Sequence, residues 1–297
     1  MLVTALGLVG AFVYGSADFL GGLASKRLSP FAVTGIAAFS GLVVLLAVYP
    51  LVGGEWSADA AFWGSISGLS GAIGISLLYA CLAIGPMSIL SPLTAVVSAV
   101  VPLAVGLSRG DALKPVGYVA LALALIAVVL VGFVPEKGAV RPTLRGVLMA
   151  IGSGATIGIF LVAIDIAPAD SGLVPLMFNR AVNGIIMVAI VVTTLAVARR
   201  RSDAAARPPA ASDAPARAGL RTALLLALAC GVADAAANGL ILTGLRLGEL
   251  SVMSVLVALY PAGTIVLAAL VLKERIAHLQ IVGLVLAIAA AGMLSLA

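Results

Sequence analysis

Residues 68–95 read GLSGAIGISLLYACLAIGPMSILSPLTA, and residues 231–258 read GVADAAANGLILTGLRLGELSVMSVLVA. Laid over one another without a gap, they match at Gly68 and Gly231, Leu77 and Leu240, Leu82 and Leu245, and Gly85 and Gly248. They match again at Ser88 and Ser251, Ser91 and Ser254, Leu93 and Leu256, and Ala95 and Ala258. Apolar composition alone produces leucine matches, but it does not produce paired glycines and serines. With a three-residue gap the match continues to Arg109 with Arg275 and Gly117 with Gly283. The chain therefore reads as two copies of one unit, 1–138 and 139–297.

Each copy is almost wholly apolar. Hydrophobic residues make up 63% of the chain and charged residues 10%, with a mean hydropathy of +1.25. Soluble domains carry about 25% charged residues, so this surface must face lipid. A helix of roughly 20 residues crosses the ~30 Å hydrocarbon core, and the apolar runs lack the alternation of a membrane strand. Helices also satisfy their own backbone hydrogen bonds in lipid. The reading is an all-α integral membrane protein with ten transmembrane helices. Spans are expected at 3–24, 30–51, 60–83, 88–108, 116–134, 144–164, 172–197, 220–245, 250–271 and 276–296. The first is not a cleavable signal peptide, because it lacks a basic leader and is too long for an h-region.

Five helices per copy is an odd number, so the second copy enters the membrane with opposite polarity. Two five-helix inverted repeats are typical of secondary transporters, which expose a central site to either side in turn. Duplication retained for stability alone is the competing explanation. Glycines on the third helix (Gly68, Gly71, Gly74) and the Gly154 and Gly158 pair on the sixth favour close helix packing.

Basic residues mark the side. Lys26, Arg27, Lys137, Arg141, Arg145, Arg199, Arg200, Arg201, Arg207, Arg217, Arg221, Lys273 and Arg275 fall in loops of one parity. The other parity holds Arg109, Lys114 and Arg246, a ratio of 13 to 3. The positive-inside rule places the first set in the cytoplasm and both termini outside. These charges call for no nucleic acid. Residues 199–219, RRRSDAAARPPAASDAPARAG, read as a disordered cytoplasmic loop within the second repeat.

At this point the chain resembles the EamA-type members of the drug/metabolite transporter superfamily. The resemblance rests on Tyr14-Gly15-Ser16-Ala17-Asp18-Phe19, with Tyr14 where that family usually has Trp, and on Arg180, Lys273-Glu274-Arg275 and Gly283. It departs at Ala38-Phe39-Ser40, where an arginine mirroring Arg180 is absent, and at Ser108-Arg109-Gly110-Asp111. The resemblance implies a transporter of the cytoplasmic membrane, often moving solutes outward; the family's cargo spans amino acids, nucleobases, sugars, cations and drugs.

Polar groups inside the bilayer cost about 2.5–3.5 kcal/mol when ionisable and so mark candidate sites. Asp234 lies mid-helix with Asn238 at i+4, and their repeat mates are Gly71 and Ile75, so the scaffold does not require them. Arg180 lies on the seventh helix with Asn183 at i+3. Arg180 for a carboxylate and Asp234 for an amine or proton would suit an amino acid-like zwitterion; equally, the two could neutralise each other and only hold helices together. Tyr14 and Asp18 share a face of the first helix, where Asp18 could contact substrate or pair with Lys26 or Arg27. Pro92 and Pro102 are expected to interrupt the fourth helix, and Pro261, beside Tyr260, the ninth, as hinges or as tolerated kinks.

Cys81 and Cys230 sit within spans and read as packing residues, and a lone His278 excludes a multi-histidine metal site. No cofactor is expected, and no phosphate-binding loop is present for ATP hydrolysis. An enzyme is not expected. The partners are a small-molecule substrate, protons and the lipid bilayer, with a homodimer admitted. Alternatives are a cationic drug or sugar carrier of the same fold, or a non-transporting scaffold.

Overall fold

The computed structural model describes residues 1–82, 84, 87–132, 142–203, 214–273 and 276–294. Within these, the structure describes the backbone alone at residues 79, 82, 87–89, 91–92, 200–203 and 214–218. The described residues are all-helical: α1 (Leu2–Ala24), α2 (Pro30–Val52), α3 (Ala58–Leu82), α4 (Met87–Ser108), α5 (Pro115–Gly132), α6 (Leu144–Ile166), α7 (Val174–Asp203), α8 (Ala214–Leu247), α9 (Leu250–Val257), α10 (Tyr260–Val271) and α11 (His278–Leu294). A short 3-10 turn, Ala169–Ser171, lies between α6 and α7.

Among the described residues, eight segments are long and apolar enough to cross a membrane, counting 250–271 as one. Residues 93–108 of α4 and helix α11 are shorter apolar helices. Large apolar side chains such as Leu8, Phe12, Val43, Ile126, Ile185 and Ile288 stand exposed on the outside of the bundle. That surface is stable only where the solvent is lipid. The protein is a multi-pass membrane protein.

Local chemistry sets the helix ends. Ser29 Oγ accepts a hydrogen bond from Ala32 N at 3.2 Å, with Pro30 as first helical residue. Thr143 Oγ1 accepts one from Gly146 N at 3.1 Å. Both satisfy amide donors that a helix start leaves unpaired. Gly53, at φ 76°, ends α2 in a region that favours glycine.

One expectation is met here and two change. The 250–271 span is two helices, broken at Ala258 and Leu259. Pro261 at the start of α10 has no N–H to donate, so the ladder restarts there. In contrast, α4 runs unbroken from Met87 to Ser108 through Pro92 and Pro102. The expected interruption of that helix is absent; the Pro92 side chain lies outside the described set. The predicted loop at 199–219 is also shorter. Helix α7 continues to Asp203 and α8 begins at Ala214, which leaves 204–213 outside the described residues. Arginine and alanine are good helix formers, and they extend both helices past the apolar stretch.

The helices pack in a defined set of pairs: α1 on α8 and α3 on α6; α1 on α10 and α4 on α6; α2 on α8 and α3 on α7. The pairs α2 with α7, α4 with α9 and α5 with α11 complete the bundle. Contacts are close where glycine permits. A Cβ on Gly68 would run into the Asn179 backbone, and one on Gly154 into Val97 and the Thr94 carbonyl.

The end of the bundle holding the α4–α5, α6–α7 and α8–α9 connections is tied by polar contacts. Arg109 Nη1 lies 3.0 Å from Asp165 Oδ2. Arg246 Nη1 donates to the Ala167 carbonyl at 3.0 Å. Asp111 Oδ2 accepts from the Ser251 amide at 2.9 Å and from its hydroxyl at 2.7 Å. A carboxylate from the α4–α5 connection thus caps the start of α9. Asp165 lies in the last turn of α6 and Asp170 in the 3-10 turn.

Candidate functional site

The polar residues singled out in the sequence converge between α1, α7, α8 and α10. Arg180 Nη1 and Asp234 Oδ2 form a direct ion pair, with side chains 9% and 14% exposed. Asn238 Nδ2 donates to the Asp234 carbonyl at 2.8 Å and to Oδ1 at 3.2 Å. The i, i+4 spacing on α8 makes this contact and holds the carboxylate toward α7. A Cβ at Gly41 on α2 would lie 3.7 Å from Arg180 Cδ and 3.0 Å from the Gly231 carbonyl. Glycine at 41 lets α2 approach α8 beside the guanidinium.

Arg180 is therefore not free to take a ligand carboxylate in this conformation unless the pair opens. Its Nε and the Oδ1 of Asn183 are both buried without a hydrogen-bond partner. Asn183 is 8% exposed and faces Gly71, whose Cβ would sit 3.4 Å from Nδ2. Asn179 takes a structural role instead, donating from Nδ2 to Ser67 Oγ at 2.7 Å.

On the other side of the pair, the rings of Tyr14 and Tyr260 stand 5.7 Å apart at a tilt of 59°. Below them α1 and α10 meet very closely. Thr264 Oγ1 donates to the Gly15 carbonyl at 3.0 Å, and a Cβ at Gly15 would run into the Tyr260 carbonyl and the Thr264 amide. Tyr14 lies near enough to Asp18, Asp234, Arg180 and Tyr260 to interact with each electrostatically, and Asp18 lies near enough to Asp234. Asp18 forms no salt bridge with Lys26 or Arg27, which sets aside the pairing considered from the sequence.

The face of α1 that carries Asp18 changes character along its length. Thr4, Gly7 and Ala11 are buried, Tyr14 is half-buried, and Asp18 and Gly22 are exposed. These residues recur at helical spacing and share one face. A Cβ at Gly22 would meet nothing within 4 Å. Cys230 and Asp234 on the facing helix α8 are half-buried, whereas Asn238, Ile241 and Leu245 are buried. Polar contacts tie the end bearing Arg109, Asp111 and Arg246; toward the end bearing Lys26 and Arg27, Asp18 is exposed and Cys230 and Asp234 are half-buried, and Ala24, Val33 and Ala227 then form a small buried cluster among α1, α2 and α8.

Of the residues read as hinges, Pro261 lies at the α9–α10 break next to Tyr260, while Pro102 is inside an intact helix, against Gly158. An apolar groove of about 540 Å³ between α1, α10 and α11, walled by Leu8, Phe12, Ala262, Gly263 and Ile288 among others, lies apart from the polar site. Its lining is apolar and offers nothing to recognise a polar solute. Among the described residues no group of histidine, cysteine or carboxylate side chains could hold a metal. Sequence reasoning missed the Asp111 cap on α9. Its signal was an acidic residue just after the fourth span, but nothing in the sequence says which helix start it reaches.

No curated protein matches the chain. A solved crystal structure covers 99% of it and is itself covered over 97% of its length, at 15% identity and a TM-score of 0.66. That likeness shows a shared fold and nothing of cargo. The family model described as EamA-like transporter family matches residues 144–296, the stretch that contributes Arg180, Asn183, Asp234, Asn238 and Tyr260. With half the chain so matched, this multi-pass helical protein belongs to the EamA-like transporter family, within the drug/metabolite transporter superfamily.

Proposed function

We propose that the chain is a secondary transporter of the cytoplasmic membrane that moves a small polar, amino acid-like metabolite outward by alternating access. The observation that carries this reading is the buried Arg180–Asp234 pair with Asn183, Asn238, Tyr14 and Tyr260 around it. A buried ion pair is a weak way to gain stability, so its retention in a lipid-embedded bundle argues for use. Opening the pair would offer a guanidinium to a carboxylate and a carboxylate to an amine.

Ten spans in two inverted repeats, 1–138 and 139–297, complete the reading. Support comes from the packing pairs. If α1 to α3 correspond to α6 to α8, α4 to α9 with α10, and α5 to α11, each of the extensive inter-repeat pairs described above has its mate or is its own mate. Exchanging the conformations of the halves would then release the tied end and tie the opposite one. The positive-inside rule puts the end with Lys26 and Arg27 in the cytoplasm and both termini outside. Pro261 and Tyr260 at the α9–α10 break would form the hinge over the site, with Pro102 opposite in α4.

Flux measurements test the proposal. Purified protein in proteoliposomes should exchange radiolabelled amino acids across the bilayer, and Asp234→Asn, which keeps the shape but not the charge, should abolish the exchange. Undiminished exchange by that variant would remove Asp234 from the mechanism.

A further inference from the structure

Resting on that transporter reading, we infer that the solute carried at this site has a net positive charge and that Asp18 takes its ammonium group. The argument is one of charge balance. The site holds two carboxylates, Asp18 and Asp234, against one guanidinium, Arg180. Asp234 is satisfied: Arg180 pairs with it and Asn238 donates to it. Asp18 has no hydrogen-bond donor and no cation among the described residues.

The register of α1 on α8 fixes where this unpaired group lies. A Cβ at Gly10 would meet Ile241, and one at Gly21 would meet Cys230 Sγ at 3.2 Å. The helices run antiparallel, so Asp18 is level with Asp234. The groups facing it are Asp234 and Cys230 from α8, Tyr14 from its own helix one turn away, and beyond these Arg180 from α7 and Tyr260 from α10. Two acids and two tyrosine rings form a cation-seeking surface, since aromatic faces attract ammonium groups. A lone carboxylate at membrane depth is costly, and an incoming ammonium relieves that cost. Asp18 is also exposed, so the cation reaches it without disturbing the Arg180–Asp234 pair. The solute class is a small organic monocation: an amine, or an amino acid whose side chain carries the extra charge.

The test is thermal melting of the purified full chain in detergent with phenethylammonium, tetraethylammonium, L-lysine, L-leucine and D-glucose. A ligand that binds the native state raises the melting temperature by mass action. The monocations should raise it; L-leucine and D-glucose should not. Asp18→Asn should weaken monocation binding by on the order of tenfold or more, the loss of about 1.4 kcal/mol from a charge-assisted contact, and Asp18→Glu should restore it. If Asp18→Asn does not purify as a monodisperse species, labelling of wild-type Asp18 by a hydrophobic carbodiimide, blocked by the monocations, supports the same conclusion. No shift from any monocation, equal shifts in Asp18→Asn, or labelling that monocations leave unchanged overturns it. Proteoliposome flux separates the two readings. Asp18-dependent monocation binding without flux would defeat the transporter reading and leave this inference standing. L-leucine flux indifferent to Asp18→Asn would do the reverse.

Discussion

Replacing Arg180 with methionine removes the positive member of a pair whose side chains are 9% and 14% exposed. Methionine fills much of the arginine stem's volume, so the main loss is electrostatic. The Asp234 carboxylate keeps only one contact, from Asn238 Nδ2 to Oδ1 at 3.2 Å. Breaking a buried pair from one side costs about 3–5 kcal/mol because a charge is stranded. At about 2–4 °C per kcal/mol for a chain of this order of size, melting should fall by roughly 6–20 °C. The double variant Arg180→Met with Asp234→Leu strands nothing, and replacing a buried pair by apolar residues is often neutral or stabilising. It should therefore recover most of the loss. The assay is intrinsic fluorescence melting in detergent, read from Trp56, which packs edge-on against Phe178 at 5.7 Å on the same helix as Arg180. The double-mutant cycle isolates the pair's coupling. A single variant that melts like wild type, or a double variant no more stable than the single, would refute the claim that the two groups are buried against each other.

Three further outcomes are expected. Gly15→Val should abolish the monodisperse species in size-exclusion chromatography, since its Cβ would strike the Tyr260 carbonyl and the Thr264 amide, whereas Gly22→Ala, with open space around it, should melt within a few degrees of wild type or above it. Asp111→Ala should cost about 1 kcal/mol for the lost cap on α9, and should increase labelling of a cysteine at position 251 by a membrane-impermeant maleimide relative to the same cysteine with Asp111 intact. Replacing residues 204–213 by a glycine–serine linker of equal length should leave flux unchanged in proteoliposomes; loss of flux with folding preserved would assign those residues a role in the carrier.

The membrane nature of this chain was legible because composition alone decides it: a surface that carries Leu8, Phe12, Val43 and Ile288 outward has one compatible solvent. The convergence of Arg180 and Asp234 was legible in part. Each stood out as an ionisable residue within an apolar run, but whether they met depended on how α7 and α8 sit about α2. That is set by side chains as small as Gly41 and Gly231, which carry no chemical signal. Pro261 signalled a break in its span, and α9 and α10 part there. Pro102 carried the same signal, yet α4 is unbroken; proline identity marks a missing donor and does not determine how the neighbouring turns respond. The end of α7 was placed too early and the start of α8 too late because hydropathy stops at the membrane surface, whereas an arginine- and alanine-rich helix can run on into water.

The Asp111 contact with α9 lies at the margin of the bundle, where water can replace each of its two hydrogen bonds once it parts. The Arg180–Asp234 contact lies where nothing but a ligand or another side chain can stand in for a lost partner. The two therefore differ as fastenings. The first resembles a clasp that thermal motion can open and reclose at small cost. The second is a bolt that needs a key of matching charge. If the carrier rearranges as proposed, its perimeter would part readily and the slow step would be set by the chemistry of the buried pair rather than at the bundle's edge.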